Sequence, residues 1–188
     1  MVIDFKKEGS SRKEIEEKLA GAGDYVKMDV LQRYLKQQLD FDTRKFVLLT
    51  LSSIYESRKM YLEAGKMMRN AAEINTTFAG KMSDFVKSME LYTFGGNYEE
   101  ADASYNKALA CGDGLQKTRI KERRKEVYKL VAKNLMGKDK RKHAMDAYEK
   151  LLEIDLTPEE KNEVKNVLMN LYEKLGKIQD YYSIKKTI

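Results

Sequence analysis

The sequence predicts an all-α fold built from repeated helix pairs, and three observations carry that prediction. The 188 residues contain one proline, and ten of the eleven glycines lie between apolar-periodic segments, Gly65 being the exception. The segments themselves are rich in Lys, Glu, Leu, Met and Ala, and their apolar residues recur at steps of three and four, the period of a helix face. One pattern also returns along the chain. In Gly96-Asn97-Tyr98-Glu99-Glu100-Ala101-Asp102-Ala103-Ser104-Tyr105-Asn106-Lys107-Ala108-Leu109 a turn leads into a helix with Tyr98, Ala101, Tyr105 and Ala108 on one face.

Taken in order, a first unit spans 9–42. Ser11-Arg12-Lys13-Glu14 has the form of a capping box, and Ile15, Leu19 and Ala22 share one side of a short helix that Gly21 and Gly23 end. A second helix opens at Asp24-Tyr25, with Val26, Val30, Leu31, Tyr34 and Leu35 as its apolar stripe, and reaches about Leu39. The second unit, 43–79, pairs Phe46, Val47, Leu48, Leu51, Ile54 and Tyr55 with Tyr61, Ala64, Met68, Ala71 and Ala72. Asn75-Thr76-Thr77 and Gly80 are expected to close it. The third, 80–114, pairs Phe85, Val86, Met89 and Tyr92 with the pattern at Gly96–Leu109, across Gly95-Gly96 and a cap-like Asn97-x-x-Glu100.

The fourth unit, 115–156, has a long basic first helix with Val127, Tyr128, Val131, Ala132 and Leu135. After Gly137 a second helix carries Ala144, Ala147, Tyr148, Leu151 and Leu152. Thr157-Pro158-Glu159-Glu160 is the clearest helix start, with a cap, a proline in the first turn and a glutamate that closes the box. It opens the fifth unit, 157–188, where Val164, Val167, Leu168, Leu171, Tyr172 and Leu175 precede Gly176 and a last short helix with Ile178, Tyr181 and Ile184. The position of Ala101 falls on Met28, Ala64, Ala144 and Tyr181 elsewhere, at successive separations of 36, 37, 43 and 37 residues. Leu19, Tyr55, Leu135 and Tyr172 occupy the position of Tyr92.

The glycine-x-aromatic opening, followed by alanine, a large residue and alanine, resembles the second helix of a tetratricopeptide repeat, whose unit is about 34 residues. The third unit carries the resemblance most fully and the second less so. The family's aromatic-x-x-leucine-glycine opening and its closing proline are absent. Helix pairs of this greater length also resemble the SNAP vesicle-fusion adaptors. Either resemblance implies a right-handed α-solenoid in which each helix pair buries its apolar face on its neighbours. It further implies a non-catalytic scaffold that holds a protein or peptide in a concave face lined by first helices. Carried over by position, that face comprises Leu49, Ser53, Glu56, Val86, Glu90, Thr93, Lys129, Lys133, Asn166 and Asn170. The lysine and asparagines with which some family members clamp a chaperone's terminal carboxylate are not reproduced, and Glu56 and Glu90 would repel such a group. Chaperone-tail binding is therefore not expected.

No pattern of catalytic residues is present. The sequence holds no G-x-x-x-x-G-K-[ST], G-x-S-x-G, H-E-x-x-H or C-x-x-C, and its single histidine, His143, and single cysteine, Cys111, lie far apart. Neither a metal nor another cofactor is expected, and an enzymatic role ranks last. Cys111 reads as a small residue at a helix end, and His143 as a surface residue. Tyr55, Tyr92, Tyr98, Tyr105 and Tyr148 recur at repeat positions and read as packing residues. Asn75-Thr76-Thr77 fits a glycosylation site by form, in a chain whose charged start lacks the apolar core of a secretory leader. With no apolar run near the roughly 20 residues needed to span a bilayer, and with one unpaired cysteine, a cytoplasmic protein is expected.

Charge is concentrated in one place. Residues 117–142 hold twelve Lys or Arg and three acids, against +6 for the whole chain. Lys121, Arg124, Lys125, Lys129 and Lys133 can form a basic stripe suited to an acidic protein segment, or alternatively to nucleic acid or an anionic membrane surface. The apolar Tyr181, Tyr182 and Ile184 of the last helix would also allow a homodimer through the C-terminal helix.

Overall fold

The computed structural model describes residues 10–187. Gly9 and Ile188, the outermost residues of the expected array, lie outside them. Among the described residues there are ten helices and no strand: α1 (Arg12–Leu19), α2 (Asp24–Leu35), α3 (Phe41–Ser57), α4 (Tyr61–Ile74), α5 (Phe78–Phe94), α6 (Tyr98–Cys111), α7 (Gly114–Gly137), α8 (Arg141–Leu152), α9 (Pro158–Lys174) and α10 (Ile178–Lys185). The fold is all-α. Each helix packs on the next in the chain, and α5 packs on α7 as well.

The helix starts follow the local chemistry read from the sequence. Ser11 with Glu14, and Thr157 with Glu160, form complete capping boxes. Asp113 with Gln116 forms a third, while Asp40, Thr77 and Asn97 each accept an N–H of their own first turn. The expectations fail at three places. α2 stops at Leu35 rather than Leu39, and Val26 is 56% exposed while Met28 is buried, so its inward stripe is Met28, Leu31 and Tyr34. Gly80 is not a breaker but sits in the first turn of α5, donating its N–H to the Thr77 hydroxyl. It is needed there because a Cβ would meet the Asn75 side chain at 2.3–2.7 Å. Finally, Ile178 does not face inward; it is 66% exposed, and only Tyr181 and Ile184 of α10 pack on the core.

Positions matched by sequence behave alike in space. Of the set aligned with Ala101, Met28 is buried and Tyr181 half-buried, while the alanines Ala64, Ala101 and Ala144 are wholly enclosed. Their small side chains let neighbouring helices approach closely, and larger residues fill the space beside them. Leu19, Tyr55, Tyr92 and Tyr172 are likewise buried, with Leu135 half-buried. Gly65 now has a reason to interrupt α4: the ring of Tyr92 lies 3.0–3.2 Å from where its Cβ would be. Nearby, Ser88 donates to the Gly65 carbonyl at 3.0 Å and lies 3.1 Å from the Ser104 hydroxyl, so α4, α5 and α6 share one buried polar seam.

The reversals recur too. Between α1 and α2, α3 and α4, α5 and α6, α7 and α8, and α9 and α10, one residue takes a left-handed conformation: Gly21, Lys59, Gly96, Asp139 and Gly176. In the last four, the next N–H closes on the carbonyl five residues back. Met60 donates to Tyr55 (2.8 Å), Asn97 to Tyr92 (3.0 Å), Lys140 to Leu135 (3.0 Å) and Lys177 to Tyr172 (2.8 Å). This is the bond of a Schellman motif, and its acceptors are the residues that the sequence aligned with Tyr92.

Left-handed geometry costs an L-residue about 1–2 kcal/mol relative to glycine. Gly96→Ala, with open space around its Cβ, should therefore lower unfolding stability by about 1 kcal/mol, and Lys59→Gly should raise it by up to a similar amount. Urea unfolding followed by circular dichroism checks both signs.

Candidate interaction face

The helices α3, α5, α7 and α9 carry every residue expected in the groove, and ion pairs link these helices in sequence. Lys87 of α5 meets Glu56 of α3 at 2.6 Å, and Lys45 of α3 stands 3.9 Å from Asp84 of α5. Arg123 of α7 meets Glu90 of α5 at 2.5 Å. Lys125 and Lys129 of α7 reach Glu160 of α9 at 3.2 and 2.6 Å. The second helices do the same, with Arg69 bonded to Glu100 and Lys107 to Glu73. Partners in these pairs stand 31–39 residues apart in sequence, close to the spacing at which the sequence pattern returns. Exposed pairs contribute only about 0–1 kcal/mol each, so their effect is mainly on register.

These pairs change how the expected groove residues read. Thr93 is wholly buried, and its hydroxyl donates to the Met89 carbonyl at 2.8 Å, so it cannot touch a partner. Glu90 is nearly enclosed and held by Arg123, and Glu56 is held by Lys87. Both carboxylates are thus neutralised, and the repulsion expected of them is largely cancelled. Leu49, Val86 and Lys129 are half-buried, whereas Ser53, Lys133, Asn166 and Asn170 are exposed.

The basic stripe is also divided. Arg124 turns toward α6, pairing with Asp102 at 2.6 Å and lying over the Tyr105 ring at 4.3 Å. Tyr128 donates to the same carboxylate at 3.3 Å, and burial raises its phenol pKa well above the usual value. Lys125 and Lys129 are engaged by Glu160. Among the described residues, only Lys121 and Lys133 of the five have no carboxylate partner.

The face contains one cleft that the sequence reading did not find. It opens between the N-terminal halves of α5 and α7, is about 330 Å³, and is lined by Met82, Ser83, Val86, Gln116, Arg119, Ile120 and Arg123. Val86 alone was expected in the site. Phe78 and Leu115, in the first turns of α5 and α7, are 76% and 65% exposed. Phe41, in the first turn of α3, is 38% exposed. Phe41, Phe78 and Leu115 succeed one another at 37 residues. That recurrence is visible in the sequence, but placing Phe41, Phe78 and Leu115 on one face needs the helix starts at Asp40, Thr77 and Asp113.

A second cleft of about 260 Å³ lies where α5, α7 and α8 meet, lined in part by Thr93, Tyr98, Val131, Lys140, His143 and Asp146. Burial, with Asp146 adding to it, pushes the Tyr98 phenol up to about 12. His143 is exposed, and Cys111 is half-buried at the end of α6. Asn75 is buried; its Nδ2 donates to Asp84 at 2.9 Å, and its Oδ1 accepts from Thr77. The nitrogen that a glycan would need is therefore already engaged. Among the described residues no three His, Cys, Asp or Glu side chains cluster as a metal ion requires, and no helix is long and apolar enough to cross a membrane.

No protein-family model matches the chain, and no curated protein matches it significantly. The tetratricopeptide resemblance therefore rests on the sequence pattern alone.

Glu160 sets a pH dependence. The Lys129 ammonium, the Thr157 N–H and the Lys125 ammonium hold its carboxyl down at about 2, below the ordinary 4.5. A depressed folded value contributes stability above the unfolded pKa, and that stability is lost as pH falls toward the folded one. Wild type should lose more stability than Glu160→Gln between about pH 4.5 and 2, measured by urea unfolding at each pH.

Proposed function

We propose that the chain is a tetratricopeptide-like, right-handed α-solenoid of five helix pairs. In this reading it works in the cytoplasm as a non-catalytic binding module or scaffold, recognising a protein or peptide through the face of its first helices. Support for the repeat comes from the recurring left-handed turns, the shared carbonyl acceptors at Tyr55, Tyr92, Leu135 and Tyr172, and ion pairs spaced by about one unit. The observation that carries the function is the α5–α7 cleft, a concave and partly apolar opening on the face formed by first helices. Soluble proteins seldom leave connected apolar surface open without a use for it.

The alternative, nucleic acid or an anionic membrane held by the 117–142 pair, draws less support. Arg124, Lys125 and Lys129 spend their charge on Asp102 and Glu160, which leaves fewer free cations for phosphates.

Self-association through α10 is favoured by one observation: no residue of that helix is fully buried, and Ile178 and Tyr182 are open to solvent. Removing residues 178–188 should convert a dimer to a monomer in sedimentation analysis; a dimer that survives the deletion contradicts the pairing.

Val86→Arg fills the cleft from a half-buried wall. Affinity capture from native lysate with wild type should retain a protein through a high-salt wash, and the variant should lose it. Retention by both, with the variant's thermal transition intact, overturns the reading.

A further inference from the structure

We propose that the α5–α7 cleft takes an internal acidic segment of a partner protein, in which a large apolar side chain stands between carboxylates. The inference rests on the binding-module reading above and adds the partner's chemistry. Met82, Val86 and Ile120 supply the apolar lining, and Phe78 and Leu115 stand largely uncovered in the first turns of the two helices that form the cleft. At about 330 Å³ the space is at the lower end of the range for ligand sites. It suits one or two side chains of an extended or helical segment, not the surface of a folded domain.

The charge around this opening selects the rest of the ligand. Lys81, Lys117 and Arg119 lie on the same first two turns of α5 and α7, and among the described residues none has a carboxylate partner. Arg123 is already taken by Glu90 and Glu126. The acids on these turns are engaged as well: Asp113 caps α7 by accepting the Gln116 N–H at 2.9 Å, and Asp84 accepts from Asn75 at 2.9 Å and faces Lys45 at 3.9 Å. Three cations without a carboxylate partner, against acids that already have partners, favour an acidic ligand, and the planar fork of Arg119 suits a carboxylate.

Two other occupants fit less well. A nucleic acid would use the cations but has no need of the apolar lining. An anionic bilayer meeting the row Phe41, Phe78 and Leu115 would also bring the carboxylates of Asp40 and Asp42, which flank Phe41, against its own negative charge.

The test is fluorescence anisotropy with the full chain and short labelled peptides, acetylated and amidated, carrying an apolar pair between runs of glutamate. The set varies the pair (Leu-Phe, Ile-Leu, Phe-Met) and its spacing from the acids. At least one peptide should bind, roughly tenfold weaker to Arg119→Glu and roughly tenfold weaker when its apolar pair becomes Ser-Ser. Arg119 is exposed, and an unchanged melting curve shows that the variant folds.

Equal affinity for wild type and Arg119→Glu overturns the proposal, as does binding that requires a free terminal carboxylate. Failure of the whole set overturns it as well, and so does co-sedimentation with phosphatidylserine vesicles in place of peptide binding. If the peptides fail while the lysate partner is still lost with Val86→Arg, the partner chemistry is wrong and the binding face stands. If both fail, the face falls too.

Discussion

The hydrogen bond that closes the last four helix pairs is the constraint on which the rest of the structure depends. Where Met60, Asn97, Lys140 and Lys177 donate back to Tyr55, Tyr92, Leu135 and Tyr172, the chain reverses after a single left-handed residue. The following helix then starts at a fixed angle. Because the bond recurs, Ala64, Ala101 and Ala144 arrive at equivalent depths and are all fully enclosed. A loosened turn would rotate those alanines out of contact and put larger neighbours in their place, which a close-packed interior tolerates poorly.

Once that geometry is set, charge finishes the register. From α3 onward, each first helix offers a charged group to the next: Glu56 to Lys87, Glu90 to Arg123, and Lys129 to Glu160. The pairs contribute little energy individually, yet they also decide which charges the face leaves free. By neutralising its middle they leave the exposed Lys117 and Arg119, with half-buried Lys81, as free cations beside the apolar cleft. In the proposed reading an acidic partner is drawn to this stretch of α5 and α7, where free cations and an apolar cleft coincide; Lys121 and Lys133, also without a carboxylate partner, do not line it.

Much of the fold was legible in the sequence. Capping boxes at Ser11–Glu14 and Thr157–Glu160 are local chemistry, and they form as written. The helical spacing of Tyr98, Ala101, Tyr105 and Ala108 needs only one helix to be interpreted. Gly80 was misread because a glycine in a first turn looks like a breaker until Asn75 is placed against it. The candidate site was less legible. Whether Thr93 is open or enclosed depends on the helix packed over it, and whether Lys125 and Lys129 are free depends on Glu160, more than thirty residues away. Pairing across units cannot be read from the position of a residue within its own helix.

The central claim is that recognition takes place between α5 and α7. Hydrogen-exchange mass spectrometry of the full chain, alone and with its captured partner, addresses it most directly. The account predicts new protection confined to residues 78–90 and 115–123. Protection confined instead to residues 133–143, or to α10, would contradict it.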